Sequence, residues 1–266
     1  MPGPGMELIG EEEKRELLEV IESGYLFRYG SPDNPAFKAK VYQLEQQVAK
    51  LVGASYAVAV NSGTSALLAA LSGLGVGPGD EVIIPGYTFI ASISSIIYAR
   101  AIPILAEVDR TLNLDPQDVR RKITPHTKAI LPVHMLGNPA RMDELKAIAS
   151  EHGLLLLEDC TQAFGARYKG KGVGSIGDAG IFSFNIYKTI TAEGCPFTCP
   201  YYKGGQVDYR KGMLPQTDDL LSRAINISIG VSDPGLGSAF GVTIHDNDNT
   251  IDDCAELFLR TAKEYL

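Results

Sequence analysis

The chain has 266 residues, 45% apolar and 21% charged, the balance of an ordinary soluble globular protein with room for one or two cored domains. Its formal charge is −8, from 24 basic and 32 acidic residues, and no run of Lys or Arg forms a basic stripe, which argues against nucleic-acid binding. No apolar run approaches the roughly 20 residues of a membrane span. The opening MPGPGMELIG lacks a charged-then-apolar leader pattern, so a cytoplasmic protein is expected. The four cysteines, Cys160, Cys195, Cys199 and Cys254, are too sparse for a disulfide framework. Cys195 and Cys199 lack the His or second Cys pair of a zinc site, so no metal is expected.

Leu17, Leu18, Ile21 and Tyr25 fall near one face of a helix from Glu11 to Gly24. A second amphipathic helix runs from Phe37 to Leu51 and closes at Gly53. Strands and helices then alternate. Strands are expected at Tyr56 to Val60, Glu81 to Pro85, Ile102 to Val108, Lys128 to Val133, Leu154 to Glu158 and Gly180 to Phe184. Helices are expected at Ser65 to Ser72, Ala91 to Tyr98 and Arg141 to His152. Short apolar strands separated by helices predict an α/β fold with a mainly parallel sheet flanked by helices. The rhythm breaks near Gly194, where a proline- and glycine-rich stretch begins. Beyond it, Asp218 to Ile225 reads as helix, the next stretch as strand, turn and strand, and Thr250 caps a final helix. Two domains are expected, 1–194 and a shortened α+β segment, 195–266.

Three segments carry residues suited to chemistry. In VNSGTSALLAAL a strand ends, Ser62-Gly63-Thr64 turn, and a helix begins. This is either an ordinary N-cap or an anion site built on free amides and the positive helix end. It is not a Walker loop, because the GK[ST] ending is missing. In LLLLEDCTQAFGA a strand delivers Glu158, Asp159 and Gln162 at its carboxyl end, where ligands of open α/β sheets sit. The carboxylate is either a helix cap or the counter-charge of a protonated ring nitrogen. Lys188, in FNIYKTITAEG, follows another strand end; it is either a loop lysine or a partly desolvated amine that forms a Schiff base. A phosphate cradle, an acid for a ring nitrogen and a Schiff-base lysine together are what pyridoxal 5'-phosphate (PLP) requires. Tyr87 and Phe89, in PGYTFIAS, offer an aromatic for the ring. Of the four histidines, His134 either lines this pocket or packs beneath it, whereas His126, His152 and His245 read as surface residues.

These motifs, with LPVHMLGNPARMDEL and the N-terminal GEEEKRELLEVIESGYL, resemble the DegT/DnrJ/EryC1/StrS family of sugar aminotransferases over residues 6 to 194. The resemblance implies the fold-type I PLP-transferase architecture. It implies PLP bound covalently to Lys188, its ring nitrogen paired with Asp159, Gln162 near the ring hydroxyl and Phe89 stacked on the ring. It also implies that Gly63, Thr64 and Ser183 hold the phosphate. The implied reaction moves an amino group from glutamate, or glutamine, to a keto-sugar, often nucleotide-linked, in a homodimer. Lys188 argues against the family branch that has histidine at this position and performs dehydration.

The chain departs from the family after the lysine. Members read Ala-Glu-Gly-Gly and then an apolar strand; here the line is Ala192-Glu193-Gly194-Cys195-Pro196, and proline suits a central strand poorly. The remainder resembles the far C-terminal part of some members, as if a stretch on the order of 100 residues, the size of a small domain, were missing between. The alternative to an aminotransferase is therefore a non-catalytic PLP-fold protein. A nucleotide-binding α/β protein of another kind would need a glycine-rich turn after its first strand, and NSGTS is not one.

Overall fold

The computed structural model describes residues 10–185 and Gln216. Lys188, the expected boundary near Gly194 and the elements expected within 195–266 lie outside the described residues. Among the described residues, 10–26 belong to one compact unit and 27–184 to a second. The first contains helix α1 (Glu11–Ser23), which opens on Glu11, Glu12 and Glu13 at its positive end and stops at Gly24 in the left-handed conformation.

The second unit holds the sheet. Its elements are α2 (Lys40–Val52), α3 (Gly63–Gly73), β1 (Glu81–Pro85), α4 (Ile90–Tyr98), β2 (Ile102–Ala106), α5 (Pro116–Lys122), β3 (Thr127–Ile130), α6 (Met142–His152), β4 (Leu155–Asp159), β5 (Arg167–Tyr168), β6 (Lys171–Gly172) and β7 (Ala179–Ile181). Five strands form a parallel sheet in the order β2-β1-β3-β4-β7, and β5 and β6 form a small antiparallel hairpin. Successive side chains of a strand point to opposite faces, and the core divides accordingly. Val82, Ile84 and Leu157 pack with Leu67 and Leu71 of α3 and Ile96 of α4. Ile83, Ile130 and Leu156 pack with Val119 of α5 and Leu145 and Ile148 of α6. Each such side chain taken out of water contributes roughly 1.5–3 kcal/mol. Helices on both faces explain why the strands read as unbroken apolar runs. No helix among the described residues is long and apolar enough to cross a membrane.

The expected strand from Tyr56 to Val60 is not a strand. Tyr56, Val58 and Val60 are exposed, and the segment joins no ladder. Within it Ala59 is held by side chains: Arg28 Nη1 donates to the Ala59 carbonyl at 2.6 Å, and the Ala59 amide donates to Glu45 Oε1 at 2.8 Å. Arg28 and Glu45 also pair with each other. Helix α5 is not among the elements read from the sequence, although Asp115 caps it and Pro116 opens it, a standard start signal.

β7 is held close to the turn that precedes it. A Cβ built on Gly180 would lie 2.3 Å from both the Cα and the carbonyl oxygen of Gly174. Backbone cannot yield as a side chain tip does, so Gly180→Ala should lower the stability of the full chain by about 2–3 kcal/mol. Gly73→Ala, at a helical position with open space around it, should be neutral or stabilising by up to about 1 kcal/mol. Urea unfolding midpoints of the two variants check this contrast.

Candidate active site

Parallel strands release the chain at one edge of the sheet, so the segments after β1, β3, β4 and β7 emerge together. β4 ends on two consecutive carboxylates, Glu158 and Asp159, both buried. They face opposite sides of the sheet and find different surroundings.

Glu158 is fully buried and accepts four hydrogen bonds. His134 Nε2 donates to Oε2 at 3.1 Å and the Gly174 amide at 2.9 Å, while the amides of Ile176 and Gly177 each donate to Oε1 at 2.7 Å. Burial pushes its pKa up, but the bonds from His134 and the three amides outweigh that and hold it below the ordinary 4.5. The Ala140 amide donates to His134 Nδ1 at 3.1 Å, so the ring proton sits on Nε2 and the imidazole is neutral. His134 therefore does not line a pocket; it is a buried brace. Cys160 lies beside the pair, but both carboxylate oxygens and both ring nitrogens already carry hydrogen bonds, which leaves no set of ligands for a metal.

Asp159 is 1% exposed. Ser92 Oγ donates to Oδ2 at 2.7 Å, and the Thr161 amide donates to Oδ1 at 3.0 Å. Both donors are neutral, and among the described residues no cation pairs with it. A carboxylate offers about four acceptor sites, so its oxygens keep capacity for a further donor.

The phosphate candidates meet at the start of α3. Ser62 caps the helix by accepting from the Ser65 amide at 3.0 Å, and the Ala66 amide bonds the Ser62 carbonyl. The amides of Gly63 and Thr64 have no hydrogen-bond partner among the described residues, and the Thr64 side chain is exposed. A Cβ on Gly63 would lie 3.1 Å from Ser183 Cβ and 3.4 Å from Thr161 Cγ2. Gly63, Ser183 and Thr161 are thus packed together. Thr161 links them to Asp159, and Asp159 links through Ser92 to the turn that begins with Phe89, the cap residue of α4. Phe89 is 43% exposed, an aromatic face open to a ligand. Gln162 follows Thr161; its Oε1 accepts from the Leu136 amide at 3.1 Å, which fixes the side chain and leaves its NH₂ to donate. The structure therefore connects Gly63, Ser183, Asp159 and the turn at Phe89 through contacts, with Thr64 and Gln162 the chain neighbours of Gly63 and Thr161. Thr161, Thr88, Ser92 and Glu158 in its bracing role were not singled out from the sequence. A small polar residue inside the apolar run FIASISSIIY was the available signal for Ser92.

The model of the DegT/DnrJ/EryC1/StrS aminotransferase family matches residues 7–195. The chain belongs to that family. It is 46% identical over 189 residues to the spore coat polysaccharide biosynthesis protein SpsC of Bacillus subtilis, covering 70% of this chain and 46% of that protein. It is 48% identical over 152 residues to a UDP-N-acetyl-3-dehydro-alpha-D-glucosamine 3-aminotransferase of Acidithiobacillus ferrooxidans, covering 57% of this chain and 41% of that one. Among solved structures, the PLP form of Spr1654 from Streptococcus pneumoniae superposes with a TM-score of 0.57 at 30% identity, covering 64% of this chain and 46% of that one. The mainly parallel sheet flanked by helices is the fold-type I architecture that the resemblance implied. The chain spans less than half the length of each of these three proteins.

Glu158 gives this DegT/DnrJ/EryC1/StrS member a testable acid response. Its folded pKa is depressed, so its contribution to stability is present above the unfolded value and is lost as pH falls through the folded one. Glu158→Gln, which sets an NH₂ against backbone amides, should cost about 3 kcal/mol near neutral pH. It should also remove part of the decline of stability in acid. Urea midpoints of both proteins across the acidic range check the sign and the size.

Proposed function

We propose that this chain provides the cofactor site of a PLP-dependent aminotransferase that transfers an amino group from glutamate, or glutamine, to a keto-sugar. A nucleotide-linked sugar is the acceptor class in this reading. The observation that carries it is Asp159, a buried carboxylate that among the described residues has neutral donors on both oxygens and no cation, joined through Thr161 to a helix start with two amides that have no partner among those residues. A ligand that fits both features has a basic ring nitrogen at one end and an anion at the other. PLP is such a ligand, and when bound it supplies an electron sink for chemistry at an amino-acid α-carbon.

In this reading Asp159 keeps the proton on the ring nitrogen, and the Gln162 amide donates to the ring hydroxyl. Phe89 offers its face to the ring. The Gly63 and Thr64 amides, with the Thr64 and Ser183 hydroxyls, receive the phosphate. Lys188 is assigned covalent attachment of the cofactor, and its Nζ the movement of the proton at the donor α-carbon. The family membership, and a relative named for amination of a dehydro-glucosamine nucleotide, support the acceptor class. A cytoplasmic homodimer is part of the same reading, on the strength of the resemblance.

The test is the visible spectrum of the purified full chain with added PLP, before and after glutamate, with borohydride trapping and peptide mapping. A band that traps on Lys188 and bleaches with glutamate is expected. A trapped Lys188 without bleaching would point to the second reading, cofactor binding without turnover, which the chain's coverage of less than half of its relatives keeps in play. No band in a folded protein would sink both. Asp159→Ala should slow the bleaching about a hundredfold, the loss of a buried charge pair worth ~3 kcal/mol.

A further inference from the structure

Asp159 is set by a residue on a neighbouring helix. Ser92 lies in the first turn of α4 and is buried. Its hydroxyl is 2.7 Å from Asp159 Oδ2, and an ionised carboxylate only accepts, so the Ser92 proton points at Asp159. Ser92 has no second proton. The 3.3 Å contact between Thr88 Oγ1 and Ser92 Oγ must then run from Thr88 to Ser92. The result is a directed relay from Thr88 through Ser92 to Asp159. The backbone of Ser92 is held as well: its amide donates to the Phe89 carbonyl at 3.1 Å and its carbonyl accepts from Ser95 Oγ at 2.9 Å. The nearest titratable pair, Glu158 and His134, engages itself on the opposite side of the strand.

We propose that Ser92 is a positioning residue that fixes the orientation of the Asp159 carboxylate toward the ring nitrogen of the cofactor, with Thr88 as its support. This rests on the cofactor reading above. A donor to the charged form of a carboxylate lowers its proton affinity. The Ser92 hydroxyl is such a donor to Asp159 Oδ2. The Thr161 amide alone would hold Oδ1 and leave Oδ2 without a donor.

The test uses the full chain in two stages. In the first, without cofactor, carboxyl-carbon NMR titration of Asp159 is compared in wild type, Ser92→Ala and Ser92→Thr. Ser92→Ala should raise the proton affinity of Asp159 about tenfold, the effect of one lost hydrogen bond to a charged group. Ser92→Thr, which keeps the hydroxyl, should restore it. Thr88→Val leaves Ser92 in place and should move the affinity in the same direction by less; it also serves if Ser92→Ala does not fold. In the second stage, PLP labelled with nitrogen-15 in the ring is added. Wild type and Ser92→Thr should show a protonated ring nitrogen, and Ser92→Ala a signal displaced toward the unprotonated form. If Ser92→Ala matches wild type in both stages, Ser92 is only a packing residue and the inference falls, while the proposed function stands. If wild type itself shows no protonated ring, the proposed function falls and takes the inference with it.

Discussion

The end of β4 depends on how Glu158 is satisfied. A fully buried carboxylate with no cation beside it among the described residues must collect hydrogen bonds, and this one draws them from two parts of the chain. His134 comes from the segment after β3, and three amides come from the turn before β7. A single side chain thereby fixes the spacing of β3, β4 and the approach to β7. Ser183 lies two residues beyond the end of β7, so the place where it meets Gly63 is determined from beneath by Glu158.

Two consecutive carboxylates thus divide the work. Glu158 is saturated by donors and serves the architecture. Asp159, on the other face, has two donors among the described residues, both neutral, and retains acceptor capacity for a further donor. The difference does not arise from the residue type, or from burial, which both share. It arises from what the neighbouring segments present: backbone amides on one side, a serine hydroxyl and a helix start on the other. A strand end can hold two adjacent buried carboxylates here because that of Glu158 is stabilised by the dipoles of its four donors.

Much of this was legible in the residues. The apolar runs of β1 and β4 are short and continuous, which is how strands covered on both faces must read, and the α6 pattern has the helical period. As candidates, Gly63, Asp159 and Gln162 came from their positions at strand and helix ends, and Ser183 from the resemblance. What was not legible depends on contacts distant in sequence. His134 follows a strand end as a pocket residue would; only Glu158, 24 positions on, shows that it is a brace. Tyr56 to Val60 has the alternation of a strand, but alternation cannot reveal whether a neighbour exists to complete a ladder. Ser92 looked like one small residue among several in an apolar helix, and its role follows from which way its single proton must point. Lys188, the residue that poses the chemical question, lies outside the described residues, so its role rests on sequence and family alone.

The mooring at Ala59 has a consequence for how this region moves. A residue in a ladder is released only when its sheet opens, whereas Ala59 is held by one guanidinium and one carboxylate borne on side chains. Amide hydrogen exchange at Ala59 is then governed by rotamer excursions of Arg28 and Glu45, a local event of low free energy, and not by global unfolding. Asn61 and Ser62 follow directly and lead into the helix start at Gly63. The start of α3 is therefore rigid on its helical side and tethered on the other by two side chains. Loss of the Arg28–Glu45 pair would free the approach to α3 without breaking a ladder of the sheet.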